Sequence, residues 1–168
     1  MKSSELRALQ EPLKKKYKSD PQSGLITLRA SSTTGAGITC KIETGKNLIE
    51  AGLHPATGGD GSSICSGDML LESLAACAGV TLKAVATSID FDLVEGAVNV
   101  EGDLDFRGTL SVDKNAPVGF KEIRLTFKIK SNEPEDRISS LIKLTERYCV
   151  VLQTLSVKNE IRVAVTSQ

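Results

Sequence analysis

The sequence predicts a protein that combines helices with antiparallel strands. Two segments alternate apolar with polar residues, Val94 to Arg107 and Ile123 to Ile129, and this period of two is typical of strands with one face in water. Three other segments, 4–18, 68–88 and 132–149, carry apolar residues at helical spacing or around most of the helix circumference. A chain of 168 residues can bury about 70% of its unfolded surface, so it needs neither a metal nor a disulfide to fold.

The composition argues against several classes of partner. Twenty-one basic residues balance twenty-one acidic ones, and tryptophan is absent, so a nucleic-acid partner has little support. The four cysteines form no CxxC pair and His54 is the single histidine, which argues against a structural zinc site. The amino terminus lacks a signal-peptide core, and no stretch reaches about eighteen uninterrupted apolar residues. We therefore expect a soluble cytoplasmic protein with reduced thiols and no membrane partner.

The amino-terminal residues predict a helix at the periphery of a single domain, 1–168. Within 1–22, apolar residues recur every three or four positions, interrupted by Pro12, before a turn begins at Asp20. The basic cluster from Lys14 to Lys18 fits a solvated helix face better than an anion-binding surface. No function is assigned to this helix.

A hairpin and a loop-rich segment are predicted next. Strands in 25–32 and 38–44 flank Thr34-Gly35-Ala36-Gly37, and Cys40 shares an apolar face that indicates packing. Residues 47–66 predict loops, centred on the glycine-rich stretch 54–61. No Lys-Ser/Thr pair follows those glycines, so this is no Walker phosphate loop. It is either a tight turn that needs positive φ angles or a wall of the pocket around a reactive cysteine.

The central helix is predicted for Asp68 to about Ser88, with Ser66 as its N-cap and Asp68 at its positive end. Apolar residues cover nearly its whole circumference, so we expect protein on most sides. Small residues around Cys77 allow another backbone to approach closely, either within the monomer or from the same helix of a second subunit. Small residues on this stretch are Ala75, Ala76, Ala78 and Gly79.

After the two alternating strands, the chain predicts a helix that ends near Cys149. Residues 132–136 combine a capping residue, an early proline and acidic charge, which is typical of a helix start. The apolar stripe that follows places Cys149 on the inward face at the end of this helix. A short helix and a last strand through Ile161, Val163 and Val165 complete the chain.

Cys77 and Cys149 have surroundings that suit thiol redox chemistry. A peroxidatic cysteine must be a thiolate, must be reachable by peroxide, and needs a second thiol to capture its sulfenic acid. Core packing is the competing explanation for both residues, because free cysteine is among the most buried residue types. Cys65, just before the central helix, is a third redox candidate. Serine hydrolase chemistry has no Gly-x-Ser-x-Gly elbow to support it.

The activation of Cys77 requires groups that lie elsewhere in the sequence. Cys77 is about nine residues inside its helix, so the positive end of that helix is too remote and a cation is needed. Arg29 is our candidate, oriented by Asp68, although Arg29 also fits a surface position on a sheet edge. Asp68 and Cys77 would be about 13 Å apart along one helix, so Asp68 more readily serves the partner subunit's cysteine in a dimer. Glu72 is the substitute carboxylate.

Three motifs together are specific: His54-Pro55-Ala56-Thr57-Gly58-Gly59-Asp60-Gly61, Ser66-Gly67-Asp68-Met69-Leu70-Leu71 leading to Leu74-Ala75-Ala76-Cys77, and Tyr148-Cys149-Val150-Val151. These motifs resemble the OsmC/Ohr family of organic hydroperoxide reductases, from about residue 24 to the end. The resemblance implies an α+β fold in which antiparallel sheets wrap around central cysteine-bearing helices in an intertwined homodimer. It implies that Cys77 attacks the peroxide, that Cys149 resolves the sulfenic acid as a disulfide, and that a dithiol, notably a lipoyl group, supplies electrons without a bound flavin, haem or metal.

The chain departs from the family pattern at three positions. The hairpin turn 33–37 lacks the family's arginine, which leaves Arg29 as a positional candidate. Asp68 stands where glutamate is usual, and Val150 stands where proline often follows the second cysteine. We expect an OsmC-like thiol peroxidase, with a non-enzymatic small-molecule-binding or redox-sensing protein as the alternative.

Overall fold

A computed structural model describes residues 2–19, 31–34, 39–43 and 48–166 of the chain. Helices and strands are interspersed along it, as the sequence predicts. The helices are α1 (Ser3–Ser19), α2 (Ser66–Ser88), α3 (Phe106–Thr109), α4 (Glu135–Tyr148) and α5 (Val150–Ser156), with a 3₁₀ turn at Pro55–Thr57. The strands are β1 (Ser31–Thr34), β2 (Thr39–Glu43), β3 (Leu48–Gly52), β4 (Ile64–Cys65), β5 (Glu95–Leu104) and β6 (Phe120–Lys130).

The antiparallel pairing of the predicted hairpin is present, in a small sheet with the order β1-β2-β3-β4. Residues 25–30 of its predicted first strand and 35–37 of its turn lie outside the described residues. β1 and β2 pair antiparallel, from Ser31 opposite Glu43 to Thr34 opposite Cys40. The prediction of loop throughout 47–66 was wrong, because β3 pairs with β2 along its full length. β4 then pairs parallel to β3, so the sheet is not wholly antiparallel. β3 is only five residues long, so its alternation of apolar and polar residues is too short to predict a strand, and its formation depends on the neighbouring strands.

α2 begins at Ser66, and Cys65 rather than Ser66 occupies the N-cap position. The buried residues of α2 lie on one face, because they recur at spacings of three and four. The opposite face is open: Val80 is 72% exposed and Leu70 is 37% exposed. The expectation of protein on most sides therefore does not hold within one chain. By length and apolar composition α2 would suffice to cross a bilayer, a test that core helices of soluble proteins also pass.

β5 and β6 form a long antiparallel hairpin that packs against α2. Its register runs from Glu95 opposite Lys130 to Leu104 opposite Phe120 and confirms both predicted strands. A Cβ on Gly102 would lie 2.6 Å from the Phe120 ring, so this position needs glycine. The inward residues of the hairpin close two buried clusters along α2, and these clusters form the core.

α4 packs along α2 and ends where the sequence predicts, at Cys149. Leu141 and Thr145 are fully buried on its inner face, and the Thr145 hydroxyl donates to the Leu141 carbonyl at 2.8 Å. The predicted last strand was wrong, because residues 158–166 form no regular structure. Ile161, Val163 and Val165 are 82 to 91% exposed. Their alternation remains that of a strand, but it has no partner among the described residues.

Candidate active site

Folding brings Cys77 and Cys149 together although 71 positions separate them in the sequence. Cys77 lies in the middle of α2 and is half-buried, while Cys149 is fully buried between α4 and α5. Cys149 forms a core cluster with Leu74 and Ala78 of α2, and the Cys77 side chain packs against that cluster. Both cysteines are free thiols. The predicted pairing of these two residues in space is therefore present within one chain.

The break between α4 and α5 determines what faces Cys77. Cys149 caps both helices: its N–H donates to the Thr145 carbonyl at 2.9 Å, and its carbonyl accepts from the Gln153 N–H at 2.9 Å. Its own backbone is extended, with φ −73° and ψ 104°, so the chain turns there and starts a new helix. The first N–H groups of a helix have no partner inside that helix. Those of Val150 and Val151 help to lower the pKa of the Cys77 thiol, against the larger, opposite effect of burial.

The pKa of the Cys77 thiol is lowered from its ordinary value. Partial burial raises this pKa, but four hydrogen bonds to the sulfur outweigh that effect. The donors, in order of their effect, are the N–H of Val151, the S–H of Cys149, the hydroxyl of Thr81 and the N–H of Val150. Cys77 lies in the middle of α2, remote from the amino terminus of that helix, as expected. The Val150 and Val151 N–H groups that help to lower its pKa belong to the start of α5.

The pKa of the Cys149 thiol is raised instead. Burial is the largest cause, and the side chain and charge of Cys77 raise it further. The N–H groups of Leu152 and Val151 oppose the shift without cancelling it. The two pKa values are therefore shifted apart, so Cys77 loses its proton at a lower pH than Cys149.

Of the groups predicted to activate Cys77, the described residues include only the carboxylates. Arg29 lies outside the described residues, so its role stays a prediction. Asp68 and Glu72 are exposed on α2, in its first and second turns. Among the described residues, no cation contributes to the lowered pKa of Cys77, and hydrogen-bond donors account for the lowering.

The remaining candidates of the sequence analysis lie outside the Cys77–Cys149 cluster. Cys65 is half-buried at the N-cap of α2, as a free thiol. The glycine-rich stretch is the predicted tight turn, with φ 94° at Gly58 and φ 79° at Gly61. His54 begins this turn: its Nδ1 accepts from the Ala56 N–H at 3.0 Å, and its ring stacks on Phe106 at 4.8 Å between centroids. Residues 2–19, 31–34, 39–43 and 48–166 contain no cluster of potential metal ligands.

Sequence reasoning missed the groups that lower the pKa of Cys77. Backbone N–H groups belong to every residue, so only the position of the helix break distinguishes those of Val150 and Val151. Thr81 did leave a signal, because residues four apart on a helix share a face and Thr81 follows Cys77 by one turn. A search for polar side chains at helical spacing from Cys77 would have found it.

The fold and the paired thiols define an α+β protein with a two-cysteine site. The sequence model of the OsmC-like protein family matches residues 59–166. The chain therefore belongs to the OsmC-like family, as its motifs indicated. No curated protein matches the chain by sequence.

Solved structures agree with this fold. An OsmC-like protein from Mycoplasma pneumoniae superposes with a TM-score of 0.66 at 19% identity, over 78% of this chain and 88% of that one. An organic hydroperoxide resistance protein OsmC from Legionella pneumophila gives 0.61 at 17% identity, over 78% and 90%. An organic hydroperoxide resistance protein from Elizabethkingia anophelis gives 0.60 at 18% identity, over 77% and 88%. At these identities the likeness establishes the fold.

Proposed function

We propose that this protein is a thiol peroxidase that reduces organic hydroperoxides to alcohols, with Cys77 as the nucleophile and Cys149 as the resolving residue. One observation supports this assignment most strongly: the two cysteines pack in one cluster and have pKa values shifted in opposite directions. Two structurally similar proteins are described as organic hydroperoxide resistance proteins, which agrees with this substrate class. The thiol pair suits the reaction because it separates a thiolate from a reserve thiol.

In the first step the Cys77 thiolate attacks the terminal oxygen of the hydroperoxide. An S–O bond forms and the O–O bond breaks, so that sulfur is oxidised and an alkoxide leaves. The alkoxide takes a proton and is released as the alcohol, and Cys77 becomes a sulfenic acid. Hydrogen-bond donors around Cys77 support this step because they lower its pKa against the effect of burial, and the thiolate is the reactive form.

In the second step Cys149 attacks the Cys77 sulfur, a disulfide forms, and the sulfenic oxygen leaves as water. Before oxidation, the charge of Cys77 holds the pKa of Cys149 up. That charge disappears when Cys77 becomes a neutral sulfenic acid. The N–H groups of Leu152 and Val151 remain, and they favour the Cys149 thiolate. Oxidation of Cys77 thus activates the residue that resolves it.

A dithiol completes the cycle by reducing the disulfide. One of its thiolates attacks the Cys77–Cys149 disulfide and forms a mixed disulfide with the protein. Its second sulfur attacks that mixed disulfide, so both protein thiols are released and the dithiol leaves as its own disulfide. We propose a lipoyl group on another protein as one such reductant. The cycle as written uses no bound cofactor, since both protein sulfurs carry the electrons. A reducing cytoplasm would supply the dithiol.

A homodimer is part of the proposal. Support comes from apolar surface that one chain leaves open: Val80 and Leu70 on α2, and the alternating segment 161–165. Such a surface is typical of a protein interface. A second copy of α2 against Val80 would cover this face, and an added strand would give 161–165 the backbone partners that it lacks. In that arrangement 1–168 forms one domain with α1 at its edge.

The test compares serine variants of the cysteines in dithiol-dependent consumption of cumene hydroperoxide. Cys77→Ser should lower turnover on the order of 10⁴-fold or more, as loss of a catalytic nucleophile does elsewhere. Cys149→Ser should consume one equivalent of peroxide per chain and accumulate a sulfenic acid that a dione reagent traps. Cys65→Ser is the matched control and should turn over normally.

Two outcomes would contradict the proposal. Unchanged turnover in Cys77→Ser would remove Cys77 from the reaction. Formation of the disulfide by peroxide in the wild type, without turnover in the presence of dithiols, would favour a redox-sensing protein over an enzyme.

A further inference from the structure

The side chain of Gln153 connects the two helices that meet at Cys149. Its Nε2 donates to the Glu146 carbonyl at 3.0 Å, so a residue of α5 bonds the last turn of α4. The Gln153 N–H also bonds the Cys149 carbonyl, at 2.9 Å. The proposed peroxidase chemistry assigns the Gln153 side chain no role.

The Glu146 carbonyl needs this donor because of the turn at Cys149. In a continuous helix the carbonyl would accept from the Val150 N–H, four residues later. That bond requires helical dihedral angles at every residue in between, and the ψ of 104° at Cys149 prevents it. The amide of Gln153 replaces the missing donor at the same carbonyl. The Val150 N–H therefore stays at the start of α5 and is not drawn back into α4.

Residue type alone does not enforce the break between α4 and α5. Residues 146–153 contain neither glycine nor proline, the residues that most often end a helix. A single helix through Cys149 is therefore the competing arrangement for this part of the chain. The bond from Gln153 to Glu146 opposes it, because fusion of the two helices would return the carbonyl to the Val150 N–H.

Fusion of the helices would move α5 rather than Cys149. The φ of Cys149 is −73°, close to the helical value, so only its ψ would change. A change in ψ redirects the chain that follows. Val151 and Leu152 of that chain pack against the cluster that contains Cys149. The break thus determines whether α5 covers the thiol pair.

We propose that Gln153 is a positioning residue of the thiol site: by bonding Glu146, it keeps the break between α4 and α5 and so holds α5 over the two cysteines. Attack on the Cys77 sulfur requires Cys149 to be close and aligned, and α5 packs against Cys149 from one side. The assignment rests on the proposed function for its place in catalysis. Formation of the disulfide is measurable without a hydroperoxide.

The experiment uses a dithiodipyridine reagent on the full chain carrying Cys40→Ser and Cys65→Ser, which leaves Cys77 and Cys149 as the only thiols. Cys77 is the more exposed of the two. In the first phase its thiolate attacks the reagent, a mixed disulfide forms, and one thiopyridone leaves. In the second phase Cys149 loses its proton to solvent and attacks the Cys77 sulfur, so that the protein disulfide forms and a second thiopyridone leaves. Thiopyridone absorbance gives both rates.

Gln153→Met keeps the length of the side chain and removes the donor. It should slow the second phase about fivefold, because an exposed hydrogen bond that water can replace contributes modestly. At a pH where the first phase no longer rises, Cys77 is fully ionised, and the first phase should stay within about twofold. Gln153→Ala provides a second donor-free variant, and far-ultraviolet circular dichroism verifies that each variant is folded.

Asn159→Leu is the matched control, because it removes an amide that bonds α5 without crossing the break. The Asn159 Nδ2 donates to the Thr154 carbonyl at 2.6 Å and to the Val157 carbonyl at 3.1 Å. This variant should leave the second phase unchanged.

Adding Val150→Pro to Gln153→Met should restore the second phase. Proline lacks the N–H that fusion of the helices requires, is tolerated at the first position of a helix, and disfavours helical angles at the preceding Cys149. A loss of stability alone would not be repaired in this way, so recovery assigns the effect of Gln153 to the break.

An unchanged second phase in folded Gln153→Met and Gln153→Ala would overturn the assignment. Equal slowing in Asn159→Leu, or no recovery with Val150→Pro, would also overturn it. A wild-type protein that completes both phases without turning over hydroperoxide would contradict the peroxidase alone. A working peroxidase whose second phase ignores Gln153 would contradict only the role of Gln153.

Discussion

The carboxyl end and the middle of α2 pack into buried clusters of different chemistry. Toward its carboxyl end, Leu82, Val85 and Ala86 meet Phe91 and Leu141 in an entirely hydrocarbon cluster. Toward its middle, a smaller cluster has a sulfur at its centre and a second sulfur at its edge. Val98 and Phe127 pack against both clusters, so the same β5–β6 hairpin closes them. One helix thus provides both the stable core and the reactive site.

The two clusters differ in the continuity of the helices beside them, and therefore in their backbone hydrogen bonds. Beside the hydrocarbon cluster, α2 and α4 run without interruption. Beside the sulfur cluster, the chain breaks at Cys149, and the first N–H groups of α5 are free of helical partners. A helix break is normally a cost in a buried region, because unpaired donors lose water. Here the N–H groups of Val150 and Val151 help to lower the pKa of Cys77, against the larger effect of burial.

Matched leucine truncations in the two clusters should separate stability from reactivity. Leu141 and Leu74 are both fully buried, one in each cluster. Either change to alanine should lower the free energy of unfolding by about 2–5 kcal/mol, because each removes packed methyl groups and leaves a cavity. Leu141→Ala should leave the alkylation of Cys149 in the folded protein unchanged. Leu74→Ala should accelerate it, since Leu74 packs directly with Cys149.

Urea unfolding gives the free energies, and peptide mass after brief alkylation gives the thiol reactivity. Equal acceleration of Cys149 alkylation in both variants would show that the clusters open together. The division between a stable end and a reactive middle would then fail.

The pH dependence of alkylation should also distinguish the two thiols, with a smaller effect than that of the leucine truncations. A thiol reacts as its thiolate, so its alkylation rate rises with pH through its pKa. The pKa of Cys77 is lowered by hydrogen-bond donors that outweigh burial, so its rate should rise at a lower pH than that of an ordinary thiol. The pKa of Cys149 is raised by burial and by Cys77, so its rate should rise at a higher pH.

Cys77→Ser provides the internal check on this order. The substitution removes the negative charge that raises the pKa of Cys149, so the Cys149 midpoint should move down toward the ordinary value. Coincident midpoints for the two thiols in the wild type, or a Cys149 midpoint that ignores Cys77→Ser, would refute the asymmetry. Alkylation followed by peptide mass at a series of pH values measures all three midpoints.

The sequence predicts the long elements of this fold well and the short ones poorly. α2, β5, β6 and the end of α4 at Cys149 follow from periodicity sustained over ten residues or more. β3 was missed, because five residues become a strand only when β2 pairs with them. Alternation in 161–165 predicted a strand that a single chain does not form, since a strand also needs a partner.

The candidate site divides in the same way. Cys77 and Cys149 were found from their local contexts, because a sulfur is visible in the sequence. The described groups that lower the pKa of Cys77 were not all found, because two of them are backbone N–H groups whose position follows from the turn at Cys149. Reasoning from charged side chains led to Arg29 and Asp68, whose part in activation stays a prediction.

Direct mapping of the first oxidation product tests the central claim, that Cys77 and Cys149 work as one unit. The reduced full chain receives one equivalent of cumene hydroperoxide, free thiols are then alkylated, and the peptides are identified by mass without reduction. The account predicts a Cys77–Cys149 disulfide, with Cys65 alkylated as in the untreated protein. A free Cys149 together with an oxidised Cys77, or a disulfide that includes Cys65, would contradict it.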